Sequence, residues 1–389
     1  MATPYAAYDP SLLEPLYPTR NRRLEDLAVD LIAQANQLSA GLHPVVLDSL
    51  GELVRSMNCY YSNLIEGHRT TPRDIERALN QDLYADTEQR NLQLEAKAHI
   101  EVQQLIDSDM NWAAADVVSP AFMQQIHSAF YQRLPASFWT TGATGLSPGQ
   151  FRTINVQIGR HVPPYADVVP QFLKRFAKAY APEPLSKLNQ AIAVAASHHR
   201  FLWIHPFPDG NGRVARLLSH AYLNQIGLGN SLWSVSRGLA RQVQRYRDLL
   251  SAADQQRAND YDGRGNLTMK GLINFSEFFL ETCLDQVRFM ASLLESQRLS
   301  RRIEAYATVE IEAGVLLPGS SALLKAALLE GEVQRGKAAI LTGYQSRQAR
   351  SILKRLIEKG LLTSSSPKGP VRLAFPVVAA EQWFPRLWA

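Results

Sequence analysis

Cysteine is scarce in this chain: two thiols, Cys59 and Cys283, stand far apart among 389 residues. That scarcity excludes a disulfide-stapled scaffold and a cysteine-ligated zinc centre, and it points to buried thiols in a reducing, cytoplasmic setting. No apolar run approaches the ~20 residues that span a bilayer. The opening MATPYAAYDPSLLEPLYPTRNRR also lacks the charged-then-apolar order of a secretory leader. Repeats and low-complexity tracts are missing. So are the G-x-x-x-x-G-K-[ST] loop and the kinase catalytic loop, which leaves a P-loop ATPase or an ordinary kinase without support. Strong net charge is missing as well, at +5 for the whole chain. What there is lies at one end: residues 298–389 hold 14 Lys and Arg against 7 Asp and Glu, a balance of +7 that leaves −2 for the rest.

A hydrophobic content of 46% supports a sizeable core. Most apolar residues recur with a period of 3.6. They predict helices at 21–40, 44–66, 72–80, 87–108, 119–133, 169–180, 185–203, 211–226, 238–258 and 269–297. Thr71-Pro72 is a cap followed by a first-turn proline, and Gly227 is a stop. One stretch departs from the helical period. Ile154 to Pro164 alternates apolar with polar residues around Gly159-Arg160 and predicts a two-stranded hairpin leaning on the bundle.

Residues 205–216 read HPFPDGNGRVAR. Gly210-Asn211-Gly212 allows a tight turn, and the helical pattern that follows puts this turn at a helix N-terminus, where free N–H groups face an anion. Arg213 and Arg216 fall on one face of the first turns, spaced for two guanidinium forks to grip neighbouring phosphates. Asp209 can hold a divalent ion on those phosphates, and His205 is the natural acceptor for the proton of an incoming hydroxyl. His198 and His199 would suggest zinc, but no second pair stands at metal spacing, so both read as helix-packing residues.

At every defining position this segment resembles the signature of the Fic family, H-x-F-x-[D/E]-G-N-G-R-x-x-R. The resemblance implies transfer of AMP from ATP to a Ser, Thr or Tyr hydroxyl of a protein. His205 would be the base and Asp209 would sit on Mg²⁺. Gly210, Asn211 and Gly212 would cradle the phosphates, with Arg213 and Arg216 on the β- and γ-phosphates and Phe207 as a buried anchor. It also makes the hairpin a flap, preceded by the pattern Gly149 to Arg152, with Val156, Gln157, Ile158 and Gly159 along the nucleotide. Tyr246 would border the adenine or ribose. Ser62-Asn-Leu-Ile-Glu66-Gly67 resembles the family's inhibitory pattern [S/T]-x-x-x-E-[G/N], which implies that Glu66 pairs with Arg216 and holds the enzyme in check. The same glutamate can position a water for removal of AMP, an alternative activity.

After Leu316-Leu317-Pro318-Gly319 the order helix, helix, turn, helix, hairpin reads as a winged helix. Its third helix, 345–359, would carry Arg347, Arg350, Lys354, Arg355 and Lys359 outward, with Lys368 and Arg372 on the wing. DNA binding, protein recognition and simple packing on the bundle all remain open for it. A DNA-binding regulator that senses nucleotide is therefore a further alternative. The expected organisation is an N-terminal helical region with the inhibitory motif (1–110), a catalytic core (111–297), a linker (298–319) and the winged-helix-like module (320–389). In fold class this is a mostly α, Fic-type bundle with a β-hairpin flap. Expected partners are a protein substrate, the chain itself as substrate or as homodimer partner, and DNA at the C-terminal module, with no membrane.

Overall fold

The computed structural model describes residues 9–38, 41–140, 147–229 and 231–388. Its helices are α1 (Arg22–Gln37), α2 (Pro44–Glu66), α3 (Pro72–Leu79), α4 (Thr87–Ser108), α5 (Met110–Ala113), α6 (Pro120–Tyr131), α7 (Ser137–Thr140), α8 (Val169–Tyr180) and α9 (Lys187–Ile204). There follow α10 (Asn211–Gln225), α11 (Val235–Arg241), α12 (Val243–Ala253), α13 (Met269–Leu294) and α14 (Ser296–Glu312). The chain ends with α15 (Ser320–Glu330), β1 (Glu332–Val333), α16 (Ala338–Thr342), α17 (Ser346–Glu358), β2 (Leu362–Thr363), β3 (Val371–Leu373) and α18 (Val377–Trp383). Among the described residues no helix is long and apolar enough to cross a membrane.

The bundle is organised by α9 and α13. Residues 191–196 of α9 are all buried, and the small side chains of Ala191, Ala193, Ala195 and Ala196 let α8, α10 and α13 approach closely on three sides. Buried on nearly every face, α9 shows little amphipathic contrast, whereas α8 at its edge buries the single stripe Phe172, Leu173, Phe176 and Tyr180. Local signals set many helix ends. Thr71 and Asp74 form a reciprocal capping box at α3, and Gly67 (φ 88°) closes α2, with the His68 N–H donating to Asn63 O at 2.9 Å.

Three expectations need correction. The helix expected over 238–258 breaks at Gln242 (φ −125°, ψ 35°): α11 is wedged between α2 and α13, while α12 turns to lay Tyr246 over α9. The hairpin shrinks to one bridge, Ile158 to His161, turned at Gly159 (φ 59°). Pairing cannot continue, because Pro163 and Pro164 have no N–H to give and the Arg152 guanidinium binds the carbonyls of Ile154 and Pro164. Residues 298–312, read as the start of a linker, belong to α14, which buries Leu299, Ile303, Tyr306 and Ala307.

In the C-terminal unit α15, α16 and α17 pack beside a three-stranded antiparallel sheet of order β1-β3-β2. The unit lies along α2 and α3. Trp388 meets Tyr60 edge-on at 5.6 Å, the Tyr61 hydroxyl donates to Leu387 O at 3.0 Å, and the Val377 N–H donates to Glu76 Oε1 at 3.1 Å. Arg372, on β3, faces Glu52 of α2 at 4.0 Å.

Candidate functional site

His205 ends α9 in the left-handed region (φ 48°, ψ 62°), a conformation that costs a non-glycine residue about 1 kcal/mol or more and persists where its surroundings enforce it. The enforcing group is Arg152, which is almost fully buried. Its Nε donates to His205 O at 2.8 Å, its Nη1 to Ile154 O at 3.1 Å, and its Nη2 to Pro164 O and to Ile204 O. One guanidinium thus joins the flap to the loop. Burial lowers the Arg152 pKa to about 10, still charged at neutral pH. Sequence reasoning placed Arg152 in a pattern but assigned it no task; an arginine three residues after Gly149 is the available signal.

Below His205 the loop is anchored by Phe207, which is fully buried and stacked on His127 with ring centroids 4.1 Å apart. Asn211 bridges the turn from inside. Its Oδ1 accepts from the Phe207 N–H at 3.0 Å, and its Nδ2 donates to Phe207 O at 2.8 Å. Gly210 (φ 78°) precedes α10, and a Cβ there would lie 2.8 Å from the Tyr131 hydroxyl. No side chain caps α10, so the N–H groups of its first turn keep their pull on an anion. The Tyr131 hydroxyl donates to Asp209 Oδ2 at 2.9 Å and aims this exposed carboxylate. Among the described residues no group of three or more His, Cys, Asp or Glu side chains could hold a metal ion. A single oriented carboxylate fits Mg²⁺, which is commonly held by one or two carboxylates together with substrate phosphates.

A cleft of about 930 Å³ opens beside the loop. His205, Gly212, Arg216, Glu66, Ile158, Gly159 and Tyr246 are among its walls, while Val156 is half-buried and Gln157 exposed on the approach to the flap turn. Burial first, then the neighbouring His161 ring and Arg152 guanidinium, lowers the His205 pKa to about 4, so the imidazole is neutral at physiological pH. Tyr246 is buried and its hydroxyl is 2.7 Å from His198 Nε2, while His198 Nδ1 meets the Ser219 hydroxyl at 2.8 Å. His199 Nε2 lies 3.1 Å from Leu250 O. His199 Nε2 also lies 3.1 Å from Asp254 Oδ1, so both buried histidines are held by hydrogen bonds within the bundle.

The two arginines diverge. Arg216, 1% exposed, donates from Nε to the Ser62 hydroxyl at 2.8 Å, and from Nη2 to Ser62 O at 3.2 Å and to Glu66 Oε1 at 2.5 Å. Burial raises the Glu66 pKa, but Arg216 outweighs it and holds the carboxyl below its ordinary range. The same Oε1 lies 2.4 Å from where a Cβ on Gly212 would be, so glycine is required for the carboxylate to rest on the first turn of α10. Arg213 turns instead towards α4, donating from Nη2 to Glu95 Oε2 at 3.2 Å, with His68 Nδ1 2.5 Å from that oxygen. Neither Glu95 nor His68 stood out in the sequence, because partners 118 and 145 residues from Arg213 leave no local pattern.

Comparison with known proteins converges on one family. The Fic/DOC family model matches residues 117–223. The Protein adenylyltransferase Fic of Drosophila erecta is 37% identical over 79 residues, 20% of this chain and 16% of that protein, and its counterpart in Drosophila yakuba is 38% identical over the same length. The match thus spans about a sixth of the length of those relatives. Among solved structures, a Fic family protein from Desulfovibrio desulfuricans G20 aligns with a TM-score of 0.54 at 18% identity, covering 92% of this chain and 97% of that one. Fic-1 from C. elegans gives 0.55 at 14% identity over 70% and 73%. At such identities the likeness is one of fold.

Proposed function

We propose that this chain, in which residues 117–223 form a Fic/DOC domain, is a protein adenylyltransferase that transfers AMP from ATP to a protein hydroxyl and restrains itself through Glu66. The observation that carries the reading is the neutral His205 held by Arg152 at the rim of a cleft whose floor is the uncapped N-terminus of α10. A triphosphate on that turn meets free N–H groups and the Arg216 guanidinium. Its negative charge also lifts the His205 pKa towards neutrality, where a general base works best. His205 accepts the proton of the target hydroxyl, the hydroxyl oxygen forms a bond to the α-phosphorus, and the bond from that phosphorus to the bridging oxygen breaks, releasing pyrophosphate. Asp209, aimed by Tyr131, would hold Mg²⁺, which neutralises phosphate charge when bound. The flap turn at Ile158 and Gly159 offers a short backbone edge on which a target segment can align.

Restraint follows from the same geometry. The Glu66 carboxylate competes with phosphate twice, by taking one arm of the Arg216 fork and by resting on the α10 turn at Gly212. A nucleotide can still enter, but its γ-phosphate lacks this clamp and the α-phosphorus is left out of line with the hydroxyl.

The test uses ATP labelled at the α- or at the γ-phosphate, incubated with Mg²⁺, a cell lysate and the Glu66→Gly chain. Label from the α position should appear in protein above the level given by the Glu66→Gly/His205→Ala chain, while γ label should not exceed that level. A γ label above that control, or no α label above it, refutes nucleotidyl transfer.

A further inference from the structure

The basic excess of the C-terminal unit has no part in the reaction above, and the fold shows where it goes. α16 and α17 are joined by the turn Gly343 to Gln345, entered at Gly343 (φ 71°), which makes a helix-turn-helix with a three-residue connection. α17 buries Ala349, Ile352, Leu353 and Leu356 and packs on α15, α16 and β2. The unit's anchorage runs through α15 and α18 on α14, and through β3, α18 and the C-terminal residues on Glu52, Tyr60, Tyr61 and Glu76. The outer face of α17 is consequently exposed along its whole length, and so is the turn between β2 and β3 that carries Lys368.

The chemistry of that face is one-sided. Arg347, Arg350, Lys354, Arg355 and Lys359 are all exposed, and Glu358 alone on this helix is acidic, tied to Lys354 at 3.6 Å. Between the cations stand Gln348 and Ser351, not aromatic or aliphatic side chains. A bilayer surface calls for apolar residues interleaved with the charges. Amides and hydroxyls flanked by arginines instead suit phosphates and base edges. An α-helix fits the major groove of a duplex, and the adjacent strand turn stands beside it, where Lys368 can reach a backbone phosphate.

We propose that α17 and the β2–β3 turn form a docking face for duplex DNA, with Arg350, Lys354, Arg355 and Lys368 on phosphates and Arg347, Gln348 and Ser351 towards the base edges. Because α17 is remote from the His205 loop in its packing, this binding does not depend on the nucleotidyl-transfer reading.

The experiment is fluorescence anisotropy of a labelled random-sequence duplex of about 20 base pairs, two helical turns, titrated with the full-length chain over a salt series. With about four phosphates neutralised, log K should fall against log[salt] with a slope near −3.6. Arg350→Gln combined with Lys354→Gln should weaken binding about tenfold or more at low salt and reduce the slope by about 2. Arg298→Gln, an exposed cation off this face, should change neither. Thermal unfolding checks the fold of each variant, and Arg355→Gln with Lys368→Gln is a second pair should the first shift the melting point. No duplex binding at about 50 mM salt, an equal loss in Arg298→Gln, or capture by phosphatidylserine vesicles without duplex binding would each overturn the proposal.

Discussion

Replacing Glu66 by glycine removes the carboxylate that Arg216 and the first turn of α10 now share. The loss can be sized from the contacts. A hydrogen bond between charged groups contributes about 1.5–3 kcal/mol, and the Glu66 side chain, 32% exposed beside an Arg216 that is 1% exposed, belongs in the lower half of that range. About 1.5–2 kcal/mol corresponds to roughly 10- to 30-fold in an equilibrium. Arg216 itself should stay in place, since the Ser62 hydroxyl and carbonyl still hold it. The fork arm it frees then meets the γ-phosphate. Glycine at the last residue of α2 costs about 1 kcal/mol of helix stability. Glu66→Gln, which keeps the side chain and removes the charge, separates that effect from the electrostatic one. In a radiolabel assay Glu66→Gly should raise AMP transfer about tenfold or more, with Glu66→Gln between it and the wild type. Transfer that is unchanged or lower in both variants, with melting temperatures near that of the parent, refutes the restraint while leaving the base assignment standing.

Arg152→Ala should lower kcat about 100-fold with little change in ATP affinity, because it frees His205 from its strained conformation, and Arg152→Lys should not rescue it, since one ammonium cannot serve four carbonyls; an intact kcat in either contradicts the positioning role. Asp209→Asn should lower turnover and raise the Mg²⁺ concentration needed for half-maximal rate, while Tyr131→Phe does the same more mildly; a Mg²⁺ titration unchanged in Asp209→Asn excludes that carboxylate as the metal holder. Stability should fall as pH drops from about 6.5 towards 4. Burial holds His99 and His198 at about 3 and His127 and His205 at about 4, so the unfolded chain takes up at least four protons that the folded chain refuses, up to ~1.4 kcal/mol per pH unit for each. His68, whose pKa is raised by its bond to Glu95, opposes this with a single group. Chemical denaturation at pH 7.5, 6.5, 5.5 and 4.5 measures the trend, and a stability maximum near pH 5 would contradict it.

Most helices could be read from the chain because their causes are local. A proline behind a threonine cap starts α3, Gly67 stops α2, and an apolar stripe marks α8, each within the span of one or two turns. The turn from Phe207 to Gly212 was legible for the same reason, since its glycines and the Asn211 amide act on neighbours a few residues away, whereas Arg213 and Arg216 find their carboxylate partners 118 and 150 residues away. The break at Gln242 was not, because α11 and α12 carry apolar residues in one continuous period and only the packing of α2 and α13 redirects the chain. The flap misled in the opposite way. Alternation predicted strands, but the prolines and the carbonyls bound by Arg152 left one bridge. Strand β1 escaped notice because two residues carry no period at all.

The central claim, that His205 moves a proton during transfer of AMP, is tested most directly by intact-mass spectrometry. The Glu66→Gly chain and the Glu66→Gly/His205→Ala chain would each be incubated with ATP and Mg²⁺, with and without lysate. The account predicts adenylyl addition to protein with the first and none with the second, although both bind ATP. Adenylyl addition by the His205→Ala chain at a rate near its parent's would contradict it.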